Sequence, residues 1–210
     1  VNPTGTFTFQ GPAGALEAIY REGKTDSTRV AIVCHPHPQH GGTMHNKVVY
    51  HAAKAFQTLG YPTLRFNYRG VGRSEGLFDN GLGEADDVQA SIDWLVTSRP
   101  GSDVVLCGFS FGTVVGLPIG AADDRVTHLV GLGTPTDRFP FDRLSNVIKP
   151  KLFIQGDNDE FGTVDSLLTQ LEPVAQPWEL VVIEGADHFF TERLDELQET
   201  VASHPILATV

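Results

Sequence analysis

Positive charge is scarce in this sequence: 15 Lys and Arg stand against 26 Asp and Glu, for a formal net charge of −11. A general nucleic-acid binder shows a basic face, so that role is disfavoured. Attachment to anionic membranes is disfavoured for the same reason. Cysteine is nearly absent, with Cys34 and Cys107 alone, both inside apolar runs. Two such residues are not a disulfide framework and read as buried free thiols. No apolar stretch reaches transmembrane length, and no signal-peptide pattern is found. The cytoplasm is the expected compartment, with a secreted chain already cleaved of its signal as the alternative, because the sequence starts at Val1. Repeats, low-complexity segments and linkers are also missing, so residues 1–210 read as one domain.

What is present is an alternation of apolar runs and amphipathic stretches. The runs are TFTFQ (6–10), LEAIY (16–20), RVAIVCH (29–35), PTLRFNY (62–68), DVVLCGF (103–109), THLVGLG (127–133), KLFIQG (151–156) and WELVVIEG (178–185). From the third onward they are nearly continuous in Val, Ile, Leu and Phe, the pattern of strands buried on both faces. The first two alternate more and meet around Gly11–Gly14, which predicts an antiparallel hairpin at the sheet edge. Between the runs, Val48, Ala52, Ala55, Phe56 and Leu59 share one helical face, and Val88, Ile92, Leu95 and Val96 another. A short helix is expected after Ser110, another over 164–171 and a last one over 191–203. Strands alternating with helices predict an α/β fold, a mostly parallel sheet of about eight strands with helices on both faces.

Ligands of such sheets bind at the carboxyl ends of the strands. Ser110 stands there, in Gly108-Phe109-Ser110-Phe111-Gly112, a G-x-S-x-G stretch. A sharp strand-to-helix turn of this kind lifts a serine hydroxyl out of the sheet and needs small flanking residues. A serine hydroxyl is a weak nucleophile that needs a base, and the base needs an orienting acid. Later strand ends carry both: Asp157-Asn158-Asp159-Glu160 after KLFIQG, and Ala186-Asp187-His188-Phe189 after WELVVIEG. The order Ser110, Asp, His188 is the order such a sheet requires.

With HPHPQHGGTMHNKVV, FNYRGVGRSEG, GFSFG, QGDNDEF and GADHFF, essentially the whole chain resembles an α/β-hydrolase. It is most similar to the small, lidless bacterial serine hydrolases related to dienelactone hydrolases and carboxylesterases. The resemblance implies the α/β-hydrolase fold and a G-x-x-D placement of the acid, which selects Asp159, with Asp157 in reserve. It implies two backbone N–H donors for an oxyanion, from Phe111 and, in the loop after the third strand, from His37. It also marks Asn67 as a departure, since family members often carry Asp there.

Other features are weighed more simply. His35, His37, His40 and His45 match no zinc spacing, so neither metal nor cofactor is expected. The glycines of RGVGRSEG match no phosphate loop and read as a turn, with Arg69 and Arg73 in surface or loop ion pairs. The connection between THLVGLG and KLFIQG is too short for a lid domain. Phe109, Phe111, Phe139, Phe141, Phe161, Phe189 and Phe190 are candidate walls of an open site, and Phe109, Phe161 and Phe189 are taken as substrate-binding. The expected function is hydrolysis of a small carboxylic ester, short or medium in its acyl group, through an acyl-enzyme on Ser110. A thioesterase, an amidase or peptidase, and a non-catalytic binding protein of the same fold are the alternatives. Nothing in the pattern selects an oligomeric state.

Overall fold

Residues 30, 32 and 34 of the third apolar run point to one side of a sheet, and residues 31 and 33 to the other, because side chains alternate along a strand. In the computed structural model, which describes residues 4–208, both sides are buried in separate apolar cores. The strands are β1 (Gly5–Gly11), β2 (Gly14–Arg21), β3 (Arg29–Cys34), β4 (Thr63–Phe66), β5 (Asp103–Phe109), β6 (Val126–Leu132), β7 (Lys151–Gly156) and β8 (Trp178–Ile183). They form one sheet in the order β1-β2-β4-β3-β5-β6-β7-β8. The edge hairpin β1–β2 is antiparallel, as is β2–β4, and the other pairs are parallel. Parallel neighbours need crossovers, and the five helices among the described residues supply cover for both faces.

Helices α2 (Leu82–Ser98), α3 (Phe111–Ala122) and α4 (Val164–Leu171) pack Ile92, Leu117 and Leu167 into the core that holds Ile32 and Leu106. Helices α1 (Lys47–Thr58) and α5 (Leu194–Ser203) pack Phe56 and Leu197 into the core that holds Val33 and Cys107. Asn46 starts α1 by accepting from the Val48 amide at 2.9 Å. The last helix begins at Leu194, three residues later than the periodicity suggests. Asp187 accepts the Thr191 amide at 2.8 Å, and Phe190 and Glu192 take left-handed backbone, so the chain turns before it can coil. Among the described residues no helix is long and apolar enough to cross a membrane.

The two thiols are buried and free. Cys34 lies beside Gly108 and Cys107 beside Val33 in the β3–β5 register, so their side chains leave opposite faces of the sheet. That geometry forbids a disulfide despite the proximity of the strands. Burial pushes the Cys34 thiol up to about 12 and raises that of Cys107 as well.

The segment after β4 is a polar scaffold. Asn67 accepts from the Met44 amide at 2.8 Å and donates to Glu17 Oε2 at 2.9 Å. An aspartate there would set a second carboxylate against Glu17, so the amide suits this chain. Arg73 pairs with Glu17 at 2.8 Å near the surface. Arg69 makes the expected loop ion pair, but a buried one: it pairs with Asp87, itself fully buried, at 2.8 Å. A buried pair of this kind needs each partner to satisfy the other, and the Arg69 amide also donates to Asp87 at 2.9 Å.

His35 ties this scaffold to the loop after β3. Its Nδ1 lies 2.6 Å from the Pro36 carbonyl oxygen and its Nε2 3.1 Å from the Tyr68 amide nitrogen. A carbonyl only accepts and an amide only donates, so Nδ1 carries the hydrogen and the ring is neutral. Burial drives its pKa from 6.5 down to about 3. A histidine depressed in the fold binds its proton more readily in the unfolded chain. Stability is therefore fully present above about pH 6.5 and falls as pH drops toward 3. Between about pH 7 and about pH 5 this group removes roughly 2 kcal/mol. Urea unfolding at the two pH values should show the loss, and His35→Gln, though weaker at neutral pH, should show a smaller one. An equal pH dependence in both proteins would contradict this role.

Candidate active site

Ser110 sits between β5 and α3 with φ 53° and ψ −118°, backbone that a residue with a Cβ seldom adopts. Its neighbours explain the turn. A Cβ on Gly108 would lie 2.3 Å from the Gly112 carbonyl oxygen, and a Cβ on Gly112 would lie 2.4 Å from the Cys34 carbonyl oxygen. Only glycine permits either approach. The Ser110 amide donates to Leu132 O at 3.0 Å, and its carbonyl accepts from the Thr113 amide at 2.8 Å. The hydroxyl is left projecting above the carboxyl ends of β5 and β6.

His188 comes from the loop after β8 and Asp159 from the loop after β7. Ser110 Oγ lies 2.9 Å from His188 Nε2, and His188 Nδ1 lies 2.8 and 3.0 Å from the two Asp159 oxygens. The carboxylate accepts from Nδ1–H, which leaves Nε2 free to accept the serine proton. Asp159 is 2% exposed and His188 3%. Asp159 is held from two further directions, by Gln155 Nε2 at 2.8 Å and by the Phe161 amide at 2.8 Å. Gln155 is itself fixed, accepting from the Thr134 amide at 2.8 Å and donating to Gly162 O at 2.7 Å. Asp157 is exposed and accepts from the Gly185 amide at 2.7 Å, a turn contact away from the imidazole.

The Phe111 amide opens α3, where the helix dipole favours negative charge. The His37 amide belongs to the loop anchored by His35. Among the described residues neither amide has a hydrogen-bond acceptor. Both residues line the cleft onto which Ser110 opens, a cavity of about 680 Å³. Two amides without acceptors, on residues lining the cleft that holds a hydroxyl–imidazole pair, are candidate donors to an oxyanion formed there.

Of the phenylalanines singled out in the sequence, Phe111, Phe161 and Phe189 line this cleft. Phe161 and Phe189 are 48% and 49% exposed, and both rings lie against His188. Phe109 does not line it, contrary to its assignment as a substrate contact. It follows Cys107 on the same face of β5, is fully buried, and backs the His188 ring at a centroid distance of 5.3 Å. Phe139, Phe141 and Phe190 are core residues. The β6–β7 connection carries a turn over 136–138 and one short helical turn over Phe141–Leu144, and no lid. The cleft also uses Phe78, Asn80 and Arg138, which stand in loops with no strand-end signal. Of the four clustered histidines, His35 is buried scaffold, His37 and His40 line the cleft, and His45 lines a second cavity beside it.

Known proteins share this architecture. The family model for the alpha/beta hydrolase fold matches residues 37–158. An uncharacterized protein of Rickettsia prowazekii (strain Madrid E) is 33% identical over 207 residues, 94% of this chain and 87% of that one. An alpha-beta serine hydrolase homologue from Coxiella burnetii superposes with a TM-score of 0.92 at 39% identity, covering 98% of this chain and 99% of that chain. An α/β serine hydrolase without a lid from Xanthomonas campestris superposes with a TM-score of 0.86 at 38% identity, covering 96% and 94%. A strained serine at the β5–α3 turn, an imidazole and carboxylate at the next strand ends, and these matches together place the chain in the alpha/beta hydrolase family.

Proposed function

We propose that the protein is a serine esterase that cleaves carboxylic esters of short or medium acyl length through an acyl-enzyme. The observation that carries this reading is the unbroken contact from Ser110 Oγ through His188 to Asp159, opening on an unlidded cleft with aromatic walls. In this mechanism Ser110 Oγ attacks the ester carbonyl carbon while His188 Nε2 takes its proton. Asp159 keeps Nδ1 protonated and stabilises the imidazolium. The amides of His37 and Phe111 hold the oxyanion of the tetrahedral intermediate. As the carbon–oxygen bond to the alcohol breaks, His188 protonates the leaving oxygen. Water then attacks the acyl-Ser110 with His188 as base, releasing the acid and restoring the hydroxyl.

A small-molecule substrate is supported by the cleft, whose volume is typical of small-molecule sites. Fold neighbours add modest support. Est1E from Butyrivibrio proteoclasticus, solved with ferulic acid bound, shares the fold at 18% identity with a TM-score of 0.81 over 93% of this chain and 96% of that one.

Ser110→Ala should fold normally and lose at least about a thousandfold in kcat on an activated ester. Retention of more than about a tenth of the wild-type rate would contradict the role of the hydroxyl. Asp159→Asn should lose about 10⁴-fold, because an amide can hold the imidazole in the wrong tautomer. Asp157→Asn should stay within a few-fold of wild type, since its carboxylate serves only the turn at Gly185. The opposite ranking in kcat would reassign the acid.

A further inference from the structure

Arg138 lies in the segment after β6, is exposed, and lines the cleft. Its position is unusual for this chain. Acids outnumber bases by 26 to 15, yet among the described residues no Asp or Glu lines the cleft. Arg138 has no ion-pair partner among the described residues either. The neighbouring Asp137 is exposed and does not line the cavity. Glu84, whose charge reaches the His37 ring, is fully buried and accepts from the Asp79 and Gly81 amides at 2.9 and 2.7 Å. Arg69, Arg73 and Arg125 each pair with a carboxylate at 2.8 Å or less, whereas Arg21, Arg29, Arg65 and Arg143, like Arg138, have no ion pair among the described residues; Arg138 is set apart by lining the cleft.

The surroundings show where the unpaired cation acts. Burial first, then the nearby His40 and Arg138, holds the His37 imidazole below its ordinary range against the opposing pull of Glu84, so the guanidinium is felt at the loop beside the serine. The His37 ring packs against Phe78 and Phe111 at centroid distances of 5.0 and 4.8 Å. The cleft wall thus carries both aromatic rings and one guanidinium. A guanidinium forks two N–H donors onto one carboxylate and favours that partner over a neutral group.

Resting on the esterase reading, we propose that the cleft is built for an ester bearing a second, ionised carboxylate, which Arg138 binds while an apolar spacer lies along Phe78 and Phe111. The substrate class is then a monoester of a dicarboxylic acid or an ester of a hydroxy acid, depending on which half of the ester carries the anion.

Paired substrates test this. The para-nitrophenyl monoester of adipic acid is compared with para-nitrophenyl hexanoate, which places the charge in the acyl half. Para-butyryloxybenzoate is compared with para-butyryloxybenzamide, which places it in the leaving half. For each pair the readout is the ratio of kcat/KM for the anionic over the neutral ester, which cancels a general loss of activity. Arg138→Gln should lower that ratio about tenfold in one pair. Arg138→Lys should lower it less and Arg138→Glu more, and added salt should shrink the wild-type ratio. Ratios that stay within about twofold across all three variants, with the neutral esters still hydrolysed, would overturn the assignment and leave the esterase reading standing. Failure of the wild-type protein to turn over any of the four esters would remove both.

Discussion

A serine held at φ 53° and ψ −118° costs about 1–3 kcal/mol relative to ordinary backbone. It persists because backbone packing leaves it no alternative. Gly108 admits the Gly112 carbonyl, Gly112 admits the Cys34 carbonyl, and the Leu132 carbonyl takes the Ser110 amide. Three adjacent parallel strands thus meet at one turn, and the strain is offset by the burial of β3, β5 and β6 on both faces. The same turn lifts the hydroxyl and opens α3, so candidate nucleophile and candidate oxyanion donor share one origin. Their separation cannot drift without disturbing the core.

Around that point the remaining groups are held by buried polar contacts rather than by flexible side chains. Asp159 has His188, Gln155 and the Phe161 amide as partners, and Gln155 has two backbone partners of its own. His35 joins the loop of His37 to the segment after β4 through both ring nitrogens. In a low-dielectric interior such fully partnered networks are rigid, and a missing member leaves a costly orphan. Rigidity of this kind is what electrostatic stabilisation requires, because donors already in place need no reorganisation when charge develops.

The strands β3 to β7 and the edge hairpin were legible because burial on two faces or one leaves a mark on composition; β8 carries the same kind of apolar run but is the sheet's other edge and, contrary to the reading of burial on both faces, buries only Ile183. Ser110, His188 and an acid after β7 were legible because strand ends converge on one rim, so position along the chain translates into position in space; the choice of Asp159 over Asp157 came from the family resemblance. Phe109 was misassigned as a substrate contact although the alternation Val105, Cys107, Phe109 carries the correction: those residues share the face turned to a buried core. Gln155 was overlooked because it sits within an apolar run, and its link to Asp159 depends on how the following loop folds back. Phe78, Asn80 and Arg138 were not legible at all. They come from connections whose course is set by packing, and sequence periodicity says nothing about which loop faces the cleft.

The central claim is that the hydroxyl of Ser110 is a nucleophile activated through His188. A fluorophosphonate reacts covalently with such a serine and leaves other serine hydroxyls unmodified. Intact-protein mass spectrometry after treatment should show one adduct per chain, and peptide mapping should place it on Ser110. Absence of an adduct, or an adduct on another residue, would contradict the account.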